Sequence, residues 1–415
     1  MLEVLRIRDY RLVLASQLLS SIGDWLLLVA APYFVFDLTG SAVATGATLV
    51  AESVPAVVLG PVAGVFTDRW DRRRMMIVTD LLRAAAVGSM VAVHSRGGVW
   101  VVYGALTLEA SFSQFFQPAR RALVPNLVGR GAELSAANAL AQLVGGVIRL
   151  VGGPLGGVLY VLFGFRDVVA IDVASYLLSA ALTATIRYRP QAEPGPTASD
   201  RPQQVKRGFR SELRAGLVHI RRTRDLPVLF VVAGLFFTGN AMLTALLVPY
   251  LSGVLHAGAQ SLGVLFGALG AGYAVGGPLC RLVTDRASDR ATIAAGLGTL
   301  AVVFAVSFNV PHLTWDVVMF TLIGPPAVCF LVTADTSIAR RTPDRIQGRV
   351  GSVYLAVQGA ATLAGMILGS LLGEHVGVVA TMNMAAVLIA ISAVAALLLS
   401  PKQAAIEALA TSSAA

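Results

Sequence analysis

Seven ionisable residues lie inside runs of sequence otherwise apolar enough for a bilayer: Asp24, Glu52, Asp80, Arg83, Glu109, Arg149 and Asp172. An ionisable side chain at the centre of a membrane helix costs about 2.5–3.5 kcal/mol on insertion scales, so each one needs a reason. Asp24, Glu52, Glu109 and Arg149 are expected near mid-membrane, Asp80 and Arg83 in the inner third of the third span, and Asp172 in the outer third of the sixth. A low dielectric disfavours the charged form of a carboxyl group, so such a group can take up a proton from one side and release it on the other. Asp24, in Gly23-Asp24-Trp25, and Glu109 lead as proton-coupling residues, with Glu52 and Arg149 beside them. The plainer alternative is a carboxylate paired for good with Arg149. Asp80 and Arg83, three apart on one helix, are expected to pair with each other or with the adjacent loop.

The remaining charge gathers at turns. Between two long apolar runs lies Gly64-Val-Phe-Thr-Asp68-Arg69-Trp-Asp-Arg72-Arg73-Arg74, with six charges in the seven residues from Asp68 to Arg74. Such a stretch belongs in a short loop at the water boundary, and short Arg-rich loops lie on the cytoplasmic side. The turn recurs at an offset of 217 residues: Pro32-Tyr33 returns as Pro249-Tyr250, Gly46 as Gly263, Gly60-Pro61 as Gly277-Pro278, Asp68-Arg69 as Asp285-Arg286 and Arg73 as Arg290. The chain thus reads as two copies of one half, an arrangement in which transporters place their site between the repeats near the midplane. The buried charges do not repeat. At the same offset Asp24, Glu52, Asp80 and Arg83 become Ala241, Leu269, Leu297 and Leu300. A purely structural role would be needed in both copies, so ion coupling is expected in the first half alone.

With 56% hydrophobic and 13% charged residues and a mean hydropathy of +0.74, the 415-residue chain falls outside the range of soluble domains. The formal charge of +9 is no sign of nucleic acid. Lys and Arg instead crowd into alternate loops, as the positive-inside rule requires, which puts both termini in the cytoplasm. Cys280 and Cys329 fall in apolar runs and suggest neither a disulfide framework nor a metal site. No cleavable leader is expected, because the first apolar run reaches membrane-spanning length. Without a Walker-type phosphate loop, energy is expected from a proton gradient and not from a bound cofactor.

Hydropathy and the length of about 20 residues needed to cross a bilayer give twelve spans, near 10–36, 41–67, 75–95, 98–118, 136–162, 166–187, 227–253, 260–284, 291–309, 313–337, 349–373 and 376–399. The expected organisation is an N-terminal six-helix bundle over 1–187, a cytoplasmic linker over 188–225, a C-terminal six-helix bundle over 226–400 and a disordered cytoplasmic tail over 401–415. Within the linker, Phe209, Leu213, Leu217 and Ile220 share one helical face among Lys206, Arg207, Arg210, Arg214, Arg221 and Arg222. A basic amphipathic helix of this kind suits the lipid surface.

The Gly64 turn resembles the loop between helices two and three of the major facilitator superfamily, Gly-x-x-x-Asp-Arg-x-Gly-Arg-Arg/Lys. Gly64, Asp68, Arg69, Arg72 and Arg73 match, and Asp71 stands where the family usually has Gly. The resemblance implies a cytoplasmic gate in which these residues clamp the ends of helices two and eleven, with Asp285, Arg286 and Arg290 as a weaker second copy. The start of helix eleven near Gln347-Gly348-Arg349 would suit Asp68 through the helix dipole. Gly152-Gly153-Pro154-Leu-Gly156-Gly157, with Arg149 just before it, is similar to the antiporter motif of the superfamily's exporters, although one residue and not two follows Pro154. Phe116-Gln-Pro118-Ala-Arg120-Arg, continuing to Pro125 and then to Leu134 and Ala137-Asn138-Ala139-Leu140, looks like the signature after helix four in the macrolide-efflux and enterobactin-exporter branch.

That resemblance implies the major facilitator fold, an all-α membrane protein with twelve transmembrane helices in two pseudo-symmetric six-helix bundles. It also implies a secondary active exporter of an amphipathic drug, macrolide-like compound or siderophore, working by proton antiport and alternating access. Helices one and four line the central cavity in that superfamily, which would put Asp24 and Glu109 beside the cargo path. Trp25, Tyr33, Phe112, Phe115, Phe236, Phe237, Asn240 and Gln358 are candidate cavity residues, although helix packing is the ordinary role of any one aromatic. A metabolite importer or facilitator of the same fold, or a non-transporting membrane sensor, stays open. The expected partners are a small-molecule substrate and the lipid bilayer, with no nucleic acid, for a monomer in the cell membrane.

Overall fold

The computed structural model describes residues 2–67, 70–129, 131–187 and 217–399, without the side chains of 2–3, 61–67, 149–150 and 344–345. The Asp68-Arg69 pair, most of the linker and the tail lie outside it. Among the described residues there is no strand. The helices are α1 (Arg8–Thr39), α2 (Ala42–Thr67), α3 (Arg72–Gly88), α4 (Val99–Val128) and a continuous stretch Ala132–Ala184, followed by α7 (Leu226–Gly253), α8 (Ala259–Thr284), α9 (Asp289–Asn309), α10 (Leu313–Arg340), α11 (Asp344–His375) and α12 (Val378–Ala396).

The 53-residue stretch is too long for one crossing, and Gly164 divides it, with φ 80° and ψ 176°. Only glycine reaches that conformation without strain. The break yields α5 over 132–163 and α6 over 165–184, so the helical segments match the twelve spans expected from hydropathy. Ten of the described helices are long and apolar enough to cross a membrane, the divided one counted once. The helix outside that set is α4, which carries Glu109, Gln114 and Gln117. It differs from expectation in length as well, running on through Pro118 and Pro125 to Val128. Arg120 and Arg121 are therefore on a helix and not in a loop.

The chain divides into two compact units. One is Met1–Gln203 with Ala245–Gly267, and the other is Gln204–Thr244 with Ala268–Ala415. In the first, α1 lies along the α5–α6 stretch while α2 and α3 lie along α4. Two apolar clusters form there. One gathers Leu26, Leu27, Val87, Met90, Val102, Leu106, Val168 and Val169, and the other gathers Tyr10, Val13, Met76, Phe116, Leu123, Val124 and Ile186. On α1, α3 and α4 the segment between these clusters holds Asp24, Arg83 and Glu109 in turn, so the site is walled by apolar packing at both ends.

In the second unit, α9 lies along α10 and α12. Cys280 and Cys329 are both buried and free. Asp316, fully buried at the start of α10, accepts a hydrogen bond of 2.6 Å from Ser307 of α9. Buried acid is therefore not confined to the first half, contrary to expectation. Asp316 sits in the first turn of its helix, where a carboxylate meets the positive end of the dipole.

Candidate functional site

The candidate site is built on Arg83, which is 2% exposed on α3. Its guanidinium is a planar fork with five donors, and these reach three carboxylates on three helices. Nε donates to Glu109 Oε1 of α4 at 3.1 Å, one terminal nitrogen to Asp80 Oδ1 of α3 at 3.1 Å, and the other to Asp24 Oδ1 of α1 at 2.9 Å. Tyr176 of α6 adds a fourth helix. Its hydroxyl donates to Asp24 Oδ1 at 2.5 Å, stands 3.3 Å from Glu109 Oε1 and accepts from Arg83 at 3.3 Å. The guanidinium also lies over the Tyr176 ring at 4.2 Å and the Phe116 ring at 5.4 Å, within the range of cation–π attraction.

A further layer holds the carboxylates. Ser179 of α6 donates to Asp80 Oδ2 at 2.6 Å, and Ser113 donates to Glu109 Oε1 at 2.7 Å from the next turn of α4. Asp172 is fully buried one turn before Tyr176, with Ser175 donating to its Oδ1 at 3.2 Å. Gly23, beside Asp24, lets this wall close. A Cβ there would stand 2.0 Å from Asp172 Oδ1 and 2.5 Å from Ser175 Oγ.

Exposure is uneven across the set. The Asp24 side chain is 37% exposed, against 11% for Glu109, 2% for Arg83 and 0% for Asp80. One cation faces three carboxylates, and the single carboxylate open to the surroundings is Asp24. Unbalanced charge away from water is costly, so excess carboxylates in such a place are chemically able to take up and release protons.

Among the described residues, the cation paired with Asp24 and Glu109 is Arg83. Arg149 lies on α5, and its side chain is outside the described residues. Asp80 and Arg83 do pair, as expected, but within this larger network. Glu52 is half-buried on α2, near enough for its charge to act on Asp24 and Glu109. The role of Tyr176 was not legible in its surrounding apolar run. One signal for Arg83 was available, because Asp24, Asp80 and Arg83 are all lost together in the second copy of the repeat.

The glycine motif has a steric meaning. A Cβ on Gly152 would stand 2.7 Å from Trp25 Cβ, and one on Gly156 would stand 3.2 Å from Leu26 Cα, so α5 presses on α1 at Asp24's neighbour. A Cβ on Gly153 would meet Phe266 at 2.8 Å, one on Gly157 the carbonyl of Ala259 at 2.5 Å, and one on Gly263 would meet Pro154 Cα at 2.6 Å. The motif is thus a seam between α5 and the first turns of α8 within the first unit, where small residues permit backbone approach.

Of the residues expected at a gate, Gly64, Asp68 and Arg69 lie outside the described side chains. Arg72 donates to the carbonyl of Ala122 on α4 at 2.9 Å, and Arg73 donates to Thr183 at 3.1 Å and to Ala184 at the end of α6. Cations on the last carbonyls of a helix are favourable. Asp71, in the position usually held by Gly, caps α3 by accepting from the Arg74 amide at 2.7 Å. In the second copy Asp285 and Arg286 are exposed and Arg290 is half-buried, while Asp289 accepts from Ser337 and from Arg341 at 3.3 Å.

Among the candidate cavity residues, Tyr33 is buried with its hydroxyl 3.3 Å from the Gly258 carbonyl, and Phe236 is buried against Phe330 at 4.6 Å and Phe237 at 5.2 Å. These two are packing residues. Trp25 is half-buried and meets Phe266 edge-on at 6.3 Å. Phe112, Phe115, Phe237, Asn240 and Gln358 are half-buried.

The family described as transmembrane secretion effector matches residues 2–414 of this chain. Macrolide efflux protein A of Streptococcus pyogenes is 26% identical over 373 residues, covering 88% of this chain and 89% of that protein. Multidrug efflux pump Tap of Mycolicibacterium fortuitum is 28% identical over 394 residues, covering 89% and 90%. Among solved structures, the nucleoside transporter NupG matches with a TM-score of 0.73 at 12% identity, covering 94% of this chain and 97% of that one. A bacterial homologue of the iron transporter ferroportin, in an inward-facing state, matches with a TM-score of 0.72 at 14% identity, covering 94% and 98%. At such identities the structural likeness speaks for the fold, which is that of the major facilitator transporters.

Proposed function

Because the chain belongs to the transmembrane secretion effector family of major facilitator transporters, we propose that it exports an amphipathic small molecule in exchange for protons. The observation that carries the coupling is the Arg83 network, in which three carboxylates share one guanidinium and only Asp24 is open. When Asp24 is ionised it draws Arg83 and Tyr176 toward α1, tying α1 to α3 and α6. When Asp24 takes up a proton, the pull on both partners weakens and Arg83 is left to Asp80 and Glu109. The seam of α1 against the other helices thus has two states that differ by one proton, which is what alternating access requires of a coupling site.

Export of drugs or macrolide-like compounds is supported by the names of the two relatives above. The chain is a multi-pass membrane protein that takes a small-molecule substrate. A monomer with both termini cytoplasmic and the proton gradient as its energy source completes the proposal. In inverted vesicles energised to an acidic interior, addition of cargo should release protons and drive uptake. Asp24→Asn and Glu109→Gln should each abolish uphill transport while leaving the amount of protein in the membrane unchanged. Unaltered transport in both variants would sink the assignment.

A further inference from the structure

The same unit holds a second arginine, half-buried, whose surroundings are the reverse of Arg83's. Arg120, two turns before the end of α4, is held by two neutral amides. It donates to Gln17 Oε1 of α1, and to Gln117 Oε1 at 3.1 Å. Its Nε is buried and has no hydrogen-bond partner among the described residues, and no carboxylate pairs with it there. Amide oxygens orient a guanidinium without neutralising it, and buried charge is ordinarily paired. Arg83 has three carboxylates, whereas Arg120 has none among the described residues.

Beside Arg120 lies a cavity of about 620 Å³ among α1, α4 and α5, a size typical of small-molecule sites. Its polar lining is Tyr10, Gln17, Arg120, Arg121, Asn138 and Gln142. Tyr10 is engaged with the Ala137 carbonyl at 2.8 Å. Asn138 and Gln142 are four apart on α5, so they share one face, and both are exposed. Arg121 stands at the rim, also exposed. Among the described residues the lining offers a cation, a second cation at its mouth, the Gln17 amide that Arg120 already holds and two further amides, and no acid. Both arms of the sequence signature that the coupling site leaves unused, Gln117-Pro118-Ala-Arg120-Arg121 and Ala137-Asn138, converge on this cavity.

We propose that this cavity is an entry subsite that receives an anionic group of the cargo, a carboxylate, sulfonate or phosphate ester, on Arg120, with Asn138 and Gln142 bonding its neighbouring oxygens. The proposal rests on the exporter reading above and narrows its cargo to molecules carrying such a group. It places the subsite at the end of the bundle where α1 begins and α4 ends, which is the cytoplasmic end in the orientation proposed above.

The test uses the full-length protein in phosphatidylcholine nanodiscs, with fluorescein as the anionic probe and rhodamine 6G as a cationic probe of related ring system, read by fluorescence anisotropy. Fluorescein should bind more tightly than rhodamine 6G, and Arg120→Gln should weaken it about tenfold or more, as loss of a charge-assisted contact does. Arg166→Gln, which removes the same charge elsewhere on the unit, should leave fluorescein binding unchanged. Should Arg120→Gln fail to fold, Arg120→Lys, which keeps the charge and loses the fork, and Asn138→Leu carry the test, each expected to weaken fluorescein and spare rhodamine 6G. Equal fluorescein affinity in wild type and Arg120→Gln, or equal losses in Arg120→Gln and Arg166→Gln, would overturn the proposal. Displacement of fluorescein from the wild type by phosphatidylglycerol in the discs would assign the cavity to a lipid phosphate and overturn it too. The assay needs no proton gradient, so its failure is distinct from failure of the coupling assignment, which the Asp24→Asn transport experiment decides alone.

Discussion

Replacing Arg83 tests whether charge balance holds α1, α3, α4 and α6 together. Arg83→Leu preserves apolar bulk beside Phe116 and Tyr176 but strands Asp24, Asp80 and Glu109, whose contacts with the guanidinium are 2.9–3.1 Å. Removing one partner of a buried ion pair costs about 3–5 kcal/mol. For a unit of this size each kcal/mol lowers the melting temperature by about 2–4 °C, so a fall of about 6–20 °C is expected. Arg83→Lys keeps the charge, but its single ammonium cannot span three helices as the fork does. Loss of one charge-assisted contact, about 1.5–3 kcal/mol, predicts a fall of about 3–12 °C. The decisive variant adds Asp24→Asn, Asp80→Asn and Glu109→Gln to Arg83→Leu. With none of Arg83's three partners left charged and unpaired, most of the lost stability should return. Melting in detergent, followed by tryptophan fluorescence, measures all three. A combined variant no more stable than Arg83→Leu would refute the charge-balance argument, and the loss would then belong to packing around the guanidinium.

Three further outcomes are expected. Tyr176→Phe removes the hydroxyl that bridges Asp24 and Glu109 but keeps the ring under Arg83; it should cost about 1 kcal/mol in melting and slow proton-coupled transport in vesicles, and a normal rate would remove Tyr176 from the coupling. Gly157→Ala would put a Cβ 2.5 Å from the Ala259 carbonyl, so the α5–α8 seam must part; crosslinking of cysteines placed across that seam should fall sharply, and unchanged crosslinking would contradict the close approach. Asp71→Ala should destabilise α3 by about 0.5–2 kcal/mol through loss of its cap, seen as a lower melting temperature that Asp71→Ser largely restores.

Much of the architecture was legible in the chain because lipid imposes a simple rule: apolar stretches of sufficient length become helices. The twelve spans fall within a few residues of the observed helices except at the end of α3, which stops at Gly88 where the span ran to 95, and at the end of α4. There the signature containing Arg120 and Arg121 looked like a loop because it is polar and holds two prolines, yet it continues the helix. Proline is tolerated where neighbouring groups satisfy the freed backbone. The candidate site was legible in part. Asp24 and Glu109 stood out by their cost, whereas Tyr33 and Phe236 did not reveal their burial, since an aromatic in an apolar run reads the same whether it packs or lines a space.

By itself, the sequence determined that this is a polytopic helical membrane protein with a twofold repeat, and that the first copy carries charge the second lacks. Those properties follow from composition and spacing along one chain. Tertiary structure alone decided which charges meet. Arg83 was expected to serve Asp80 three residues away, and it also takes Asp24 and Glu109, 59 and 26 residues away. The physical reason is that partner choice depends on which faces of α1, α3, α4 and α6 pack together, and that depends on the glycines and apolar clusters that set each helix's rotation. The same packing left Arg120 without a carboxylate among the described residues and opened a cavity beside it, a difference that no inventory of residue types contains.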